Sequence, residues 1–289
     1  MLIRDLLCRQ ALTFSCELFP PKAGSELPRA YEIVAKTASL EPDFISVTYG
    51  ASGSTSQNTI EIAQNIQQNG VAALAHLTCV SSPPEQIVQL LHRLRKSGIQ
   101  NILALRGDLP TGQSAPTEGY FQHACDLVKT IKDFGGFCVG GACYPEGHVE
   151  SPCQEQDIDY LKEKVDAGCD FLTTQMFFDN NVLYRFLYRL YSKNITVPVL
   201  AGIMPVTNKK QITRIVKLSG TALPPRFQNI LDRFGENNDA MEQAGIAYAT
   251  EQIIDLVANG VRGIHLYTMN RPDIAAKIMG NLSCIVKAS

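Results

Sequence analysis

Two hydrophobic periods alternate along this chain. Short apolar runs at residues 12–19, 44–48, 72–78, 101–106, 137–144, 171–176, 197–203 and 263–268 have the length and bounding turns of strands. Between most of them, apolar residues recur every three or four positions; the clearest stretches are 60–69, 84–97, 122–134, 157–167, 181–192, 209–218 and 240–258, and these predict helices. Strands alternating with helices specify βαβ units and a parallel sheet. Eight such units in 289 residues predict an α/β protein, a (β/α)8 TIM barrel forming a single domain over residues 1–289. The helix ends agree: Pro83-Pro84-Glu85 opens one helix with an N-terminal proline and an acid at the positive dipole end. Ser97-Gly98 closes it, and Ala167-Gly168 and Asn259-Gly260 close two others. Residues 107–119, rich in Gly, Pro, Ser and Thr, read as a long loop, and residues 222–238 as an irregular excursion with a short helix. The competing fold, a doubly wound sheet, usually carries a G-x-G-x-x-G turn after its first strand, and this sequence has none.

A barrel places its chemistry at the C-terminal ends of its strands, and here those ends are polar. Strand one ends in Glu17, strand two in Thr48-Tyr49, strand three in His76 and strand four in Arg106-Gly107-Asp108. Strand five runs into Tyr144, Glu146 and His148, and strand six into Gln175. The two-residue period puts Thr13, Ser15 and Glu17 on one face of strand one, with Phe14, Cys16 and Leu18 on the other. Ile102, Ala104, Arg106 and Asp108 share one parity, as do Phe171, Thr173 and Gln175. Taken singly, each residue has an ordinary structural reading: Glu17 as a strand-end carboxylate, His76 as a core histidine, Arg106 and Asp108 as an ion pair. Six polar strand ends on one face together indicate a pocket for a small organic ligand. Asp157 and Lys164, seven apart on one helix, lie on one face, which suits either a solvated surface or a site for a ribose hydroxyl and a phosphate.

Composition narrows the classes further. Net charge is −2, from 26 basic and 28 acidic residues, with 45% hydrophobic residues. Such a chain is globular and lacks the basic field of a nucleic-acid partner. No run of roughly 20 apolar residues is present, so no membrane span is expected. Arg4, Asp5 and Arg9 interrupt the N-terminus, so no signal peptide is expected either. Nine scattered cysteines without C-x-x-C spacing fit a reduced, cytoplasmic protein and no metal site.

In order, the stretches Phe14-Ser15-Cys16-Glu17-Leu18-Phe19-Pro20-Pro21-Lys22, Ser46-Val47-Thr48-Tyr49-Gly50-Ala51, Ala75-His76-Leu77-Thr78-Cys79, Ala104-Leu105-Arg106-Gly107-Asp108-Leu109-Pro110, Cys143-Tyr144-Pro145-Glu146-Gly147-His148, Thr174-Gln175-Met176-Phe177-Phe178-Asp179 and Tyr267-Thr268-Met269-Asn270-Arg271 resemble the methylenetetrahydrofolate reductase family, flavoprotein barrels of one-carbon metabolism. The resemblance is co-linear over nearly the whole chain. It implies FAD at the barrel mouth and reduction of 5,10-methylenetetrahydrofolate to 5-methyltetrahydrofolate. The hydride would come from NADH, NADPH or an electron-carrier protein, and the assembly would be a homo-oligomer. By the same resemblance Glu17 is the general acid, Asp108 lies near flavin and pterin, and Gln175 binds the pterin. Thr48, Tyr49, Ala51, His76, Arg106, Gly107, Asp108, Tyr144, His148, Asp157 and Lys164 are the expected FAD contacts, and Lys209 and Arg271 are expected at the substrate. The rival readings are another FAD-bearing barrel, such as a proline dehydrogenase relative, and a non-catalytic folate- or flavin-binding subunit.

The chemistry matches these roles. The methylene bridge must open to an iminium cation before it accepts hydride, so N10 leaves and needs a proton. A carboxyl group supplies one only where burial or a negative neighbour keeps it protonated near neutral pH. Three positions depart from the family pattern. Lys209 stands where relatives often carry an aromatic; it cannot stack on a nicotinamide but can attract an anion, the alternative being a solvated lysine beside Lys210. Glu163 stands where some relatives have a base, leaving a phosphate to Lys164. The sequence ends soon after strand eight, so feedback through the C-terminal regulatory domain of eukaryotic relatives is not expected.

Overall fold

The computed structural model describes residues 1–21, 26–49, 53–109 and 116–288. Eight parallel strands close into a barrel in sequence order: β1 (Thr13–Leu18), β2 (Phe44–Val47), β3 (Ala72–Thr78), β4 (Asn101–Leu105), β5 (Cys138–Cys143), β6 (Phe171–Thr174), β7 (Val199–Ile203) and β8 (Gly263–Tyr267). The helices between them are α1 (Ile3–Arg9), α2 (Leu27–Ala38), α3 (Gly53–Gln68), α4 (Pro84–Lys96), α5 (Ala124–Phe134), α6 (Gln154–Asp166), α7 (Asn180–Ser192), α8 (Lys209–Ser219), α9 (Pro225–Phe234), α10 (Asn238–Ala258) and α11 (Pro272–Ala288). The expected barrel is therefore observed, and its strands are one or two residues shorter than the apolar runs where the two differ. Helix α4 shows why these segments fold as they do. Pro84 sits in its first turn, Arg93, Arg95 and Lys96 occupy its last, and Ile87, Leu90, Leu91 and Leu94 form the buried stripe.

The strand alternation divides the core into two. Phe14, Cys16, Leu18, Ile45, Val47, Ala75 and Leu77 face the helices in the main hydrophobic cluster. The opposite faces fill the lumen. Its lower layer consists of Phe44, Leu74, Leu103, Cys138, Phe171 and Leu200, and Ile3 of α1 closes the bottom. Asn101 secures that closure, accepting from Ile3 N at 2.9 Å and donating to Ala73 O at 3.1 Å. Gly140 of β5 belongs to the same layer because a Cβ there would lie 2.5 Å from the Phe171 ring.

The segment read as an irregular excursion forms α9. Phe227 stacks on Phe178 at 5.0 Å and contacts Tyr248 at 4.7 Å, giving the β6–β8 side of the mouth a small core of its own. Helices α1, α2 and α11 lay outside the clearest periodic stretches; α1 has only seven residues and buries Ile3 alone. Within the 107–119 loop, residues 110–115 lie outside the described residues. Among the described residues, no helix is long and apolar enough to cross a membrane.

Candidate active site

Above the apolar layer the lumen turns polar. Register places Ser15 beside Phe44 and His265, and Glu17 beside Ser46 and Tyr267. Glu17 is buried, at 8% exposure. Its Oε2 lies 3.5 Å from Ser46 Oγ, 3.5 Å from His76 Nε2 and 3.6 Å from His265 Nε2. His265 Nδ1 lies 2.7 Å from Ser15 Oγ, and its Nε2 lies 3.3 Å from Ser46 Oγ. Burial lowers the pKa of His76 to about 4, opposed by Glu17 and reinforced by His265, so this imidazole is neutral at physiological pH. Among the described residues its Nε2 makes no hydrogen bond, and the buried Thr173 Oγ1 also lacks one. Tyr267 donates to Thr174 O at 2.5 Å, and its phenol is held well above its ordinary range by burial, with Glu17 adding to the effect. Gly202 leaves room for that ring: a Cβ would lie 2.7 Å from the Tyr267 hydroxyl.

The backbone carrying Glu17 is clamped from β8. Thr268 Oγ1 donates to Glu17 O at 2.6 Å. Asn270 donates to Phe19 O at 3.0 Å and accepts from Phe19 N at 2.8 Å. Met269 and Asn270 hold φ of 52° and 57°, a left-handed conformation costly for non-glycine residues. The sequence reading assigned no role to His265, Thr268 or Asn270. The signal was available, because alternation in 263–267 puts Gly263, His265 and Tyr267 on the face shared with Ser15 and Glu17.

A second group lies where β4 and β5 end. The inward parity of β4 is Asn101, Leu103 and Leu105, whereas Ile102 and Ala104 face the helices. Arg106 and Asp108 therefore reach the mouth from the loop after the strand, not through the pleat. Arg106 is half-buried and forms a two-point ion pair with Glu150, at 2.5 and 2.8 Å, that raises its pKa further. Asp108 is exposed, makes no hydrogen bond or close ion pair among the described residues, and adds to the field that raises the Arg106 pKa. Gly107 takes φ of 86°, and a Cβ there would lie 2.9 Å from Thr78 Cβ. Tyr144 and His148 meet edge to face at 4.6 Å. Burial pushes the Tyr144 phenol up to about 12 and lowers His148. On α6, Asp157 accepts from Ser151 Oγ at 2.8 Å, and the Lys164 ammonium turns inward to Ala142 O.

Thr48 and Tyr49 are half-buried at the end of β2, and Thr48 O accepts from Thr59 Oγ1 at 3.0 Å. Ala51 lies outside the described residues. Gln175 donates its backbone N–H to Cys143 O at 2.7 Å, and its side-chain oxygen accepts from Met176 N at 2.9 Å. The two remaining candidates are engaged elsewhere. Lys209, in the first turn of α8, pairs with Glu236 at 3.1 Å. Arg271 pairs with Asp273 at 2.7 Å and Glu242 at 3.0 Å. Buried thiols such as Cys16 and Cys143 are pushed up to about 12, which removes them as nucleophiles.

A carboxyl between two imidazoles in the lumen, beside a mouth that gathers a guanidinium, a phenol and a third imidazole, marks the C-terminal face of this (β/α)8 barrel as its candidate site. The comparisons narrow this class. The family model described as methylenetetrahydrofolate reductase matches residues 2–283, and the chain belongs to that family. It is 37% identical over 288 residues to methylenetetrahydrofolate reductase (NADH) 1 of Zea mays, covering 94% of this chain and 48% of that protein. It is 33% identical over 272 residues to 5,10-methylenetetrahydrofolate reductase of Escherichia coli (strain K12), covering 94% and 90%. The chain thus spans about half the length of the plant relative and nearly all of the bacterial one. A Clostridium thermocellum protein solved with two copies of 5-methyl-5,6,7,8-tetrahydrofolic acid superposes with a TM-score of 0.69 at 15% identity, covering 100% of both chains, which supports the fold.

Proposed function

We propose that this chain reduces 5,10-methylenetetrahydrofolate to 5-methyltetrahydrofolate with FAD, drawing electrons from NADH, NADPH or an electron-carrier protein. The observation that carries the reading is Glu17: a buried carboxyl in the polar layer of the lumen, in a chain of this family. The mouth suits a flavin dinucleotide. Arg106, Tyr144, His148 and Lys164 offer cationic and hydrogen-bonding groups to an anionic, aromatic ligand. Gly107, at φ of 86°, turns the chain at the mouth, and His76 Nε2 and Thr173 Oγ1 are buried polar atoms that lack hydrogen bonds among the described residues. Thr48, Tyr49 and Asp157 complete the described part of the set, with Ala51 outside it.

FAD, when bound, supplies the two-electron chemistry between donor and folate. The chain supplies placement and the proton. Glu17 gives its O–H proton to N10 as the bond from the methylene carbon to N10 breaks, which leaves a cationic iminium at N5. The exposed Asp108 carboxylate at the mouth favours that cation. Gln175, Lys209 and Arg271 are the residues for the pterin and for the anionic tail. A cytoplasmic homo-oligomer belongs to the same reading, and all nine cysteines are free thiols.

The test is the visible spectrum of the purified protein under anaerobic conditions. A flavin band bleached by NADH or NADPH, then restored by methylenetetrahydrofolate with formation of 5-methyltetrahydrofolate, is the expected result. A band that bleaches but is not restored by folate would leave a non-catalytic subunit. Absence of any flavin from protein purified with added FAD would overturn the reading.

A further inference from the structure

The hydrogen bonds around Glu17 say where its proton is kept, an inference that rests on the function just proposed. Ser15 decides the count. Its single hydroxyl proton faces two acceptors, Ile264 O at 3.1 Å and His265 Nδ1 at 2.7 Å. A proton directed to Nδ1 would leave two oxygens facing each other, lone pair to lone pair. A proton directed to the Ile264 carbonyl satisfies both contacts, because Ser15 Oγ then accepts from Nδ1–H. Neutral His265 therefore carries its proton on Nδ1 and presents a lone pair at Nε2. That lone pair faces Ser46 Oγ at 3.3 Å and Glu17 Oε2 at 3.6 Å. The ring is held in place by Phe44, stacked at 5.9 Å, and by the edge of Tyr267 at 5.4 Å.

We propose that His265 is the positioning residue of the proton donor: its Nε2 accepts from Ser46 Oγ–H at 3.3 Å, which turns a Ser46 lone pair to the Glu17 carboxyl O–H, 3.5 Å away, and keeps the proton on Oε2 until N10 takes it. In that step the O–H bond breaks, an N10–H bond forms, and the carboxylate left behind accepts from Ser46 Oγ–H, 3.5 Å away. Water restores the proton between turnovers. The groups facing Glu17 are His76 from β3, His265 and Tyr267 from β8, and the non-titrating Ser46 from β2. His76 lies as near, at 3.5 Å, but its Nε2 makes no hydrogen bond among the described residues, whereas His265 Nε2 reaches Glu17 through Ser46. Tyr267 spends its proton on Thr174 O.

Two measurements test this. The first is nitrogen NMR of protein labelled with 15N-histidine, in which only five histidines give signals. His265, assigned by its loss in His265→Phe, is expected as the Nδ1–H tautomer at neutral pH; an Nε2–H tautomer would overturn the proposal whatever the substrate proves to be. The second is rapid-reaction kinetics of the FAD-loaded enzyme. His265→Phe keeps the ring shape and removes both nitrogens. It is expected to slow flavin reoxidation by methylenetetrahydrofolate about 100-fold, within the range for impaired acid catalysis. The midpoint of that step's pH profile should move by about one unit, while flavin reduction by the donor stays within about twofold. His265→Gln, which can restore an acceptor near Nε2, is expected to recover at least about tenfold and a near-native profile. An unchanged rate and pH profile in His265→Phe would overturn the proposal. Glu17→Gln, run in parallel, separates the two failures: if it reduces folate normally, the reading of Glu17 itself is wrong.

Discussion

His76 makes the barrel's stability depend on pH in a calculable way. In the unfolded chain its imidazole takes up a proton near pH 6.5, whereas in the native lumen burial delays this to about 4. Between those values the unfolded state binds the additional proton, so acid favours unfolding. The contribution is fully present above pH 6.5 and is lost as pH falls toward 4. With a slope approaching ~1.4 kcal/mol per pH unit, the loss reaches ~2 kcal/mol by pH 5 and ~3 kcal/mol by pH 4. His76→Gln removes the titration and keeps a polar side chain. Other groups also titrate in this range, including His148, which burial shifts the same way, but they are present in both proteins and cancel in the comparison. Urea unfolding of the two proteins, followed by circular dichroism from pH 7.5 to 5, should show the native protein losing ~2 kcal/mol more than the variant. A stability difference that stays constant with pH, within ~0.5 kcal/mol, would refute the burial of a neutral imidazole in the lumen.

The other expectations are shorter. Asp108→Asn should leave stability within ~0.5 kcal/mol, since the side chain is exposed and unpaired among the described residues. It should also raise the potential of bound flavin and slow folate reduction; an unchanged potential in a redox titration removes Asp108 from the flavin's side. Asn270→Ala deletes both bonds to Phe19 and should destabilise the protein by ~2 kcal/mol at about 1 kcal/mol each. A thermal melt indistinguishable from native would deny the clamp. Lys209→Ala breaks one partly exposed ion pair and should cost less than ~1 kcal/mol. If the lysine attracts folate glutamates, KM for a polyglutamyl folate rises at low salt and converges with the native value at high salt; an equal KM at low salt leaves Lys209 to its pair with Glu236.

The barrel was legible because its outer core is written as strict alternation: Phe14, Cys16 and Leu18 face helices wherever Ser15 and Glu17 face the lumen. The same alternation misled at β4. There the pleat ends at Leu105, so a parity counted through Arg106 and Asp108 describes no continuous strand. For His265 the alternation in Gly263–Tyr267 marks the face but not the chemistry, since one histidine in that run reads as a core residue until β1 is placed beside it. Thr268 and Asn270 act through partners about 250 positions away, and no local pattern marks such a contact. The excursion at 222–238 needed Phe178 and Tyr248 to explain Phe227, and those residues come from other elements of the chain.

The central claim is that Glu17 delivers the proton that lets methylenetetrahydrofolate accept hydride. Stopped-flow measurement of the two half-reactions in Glu17→Gln tests it most directly. Removing a general acid typically costs ~10²–10⁴-fold. The account predicts flavin reduction by the donor at a near-native rate, with reoxidation by methylenetetrahydrofolate slowed by at least ~100-fold. Reoxidation at the native rate in a fully FAD-loaded variant would contradict it.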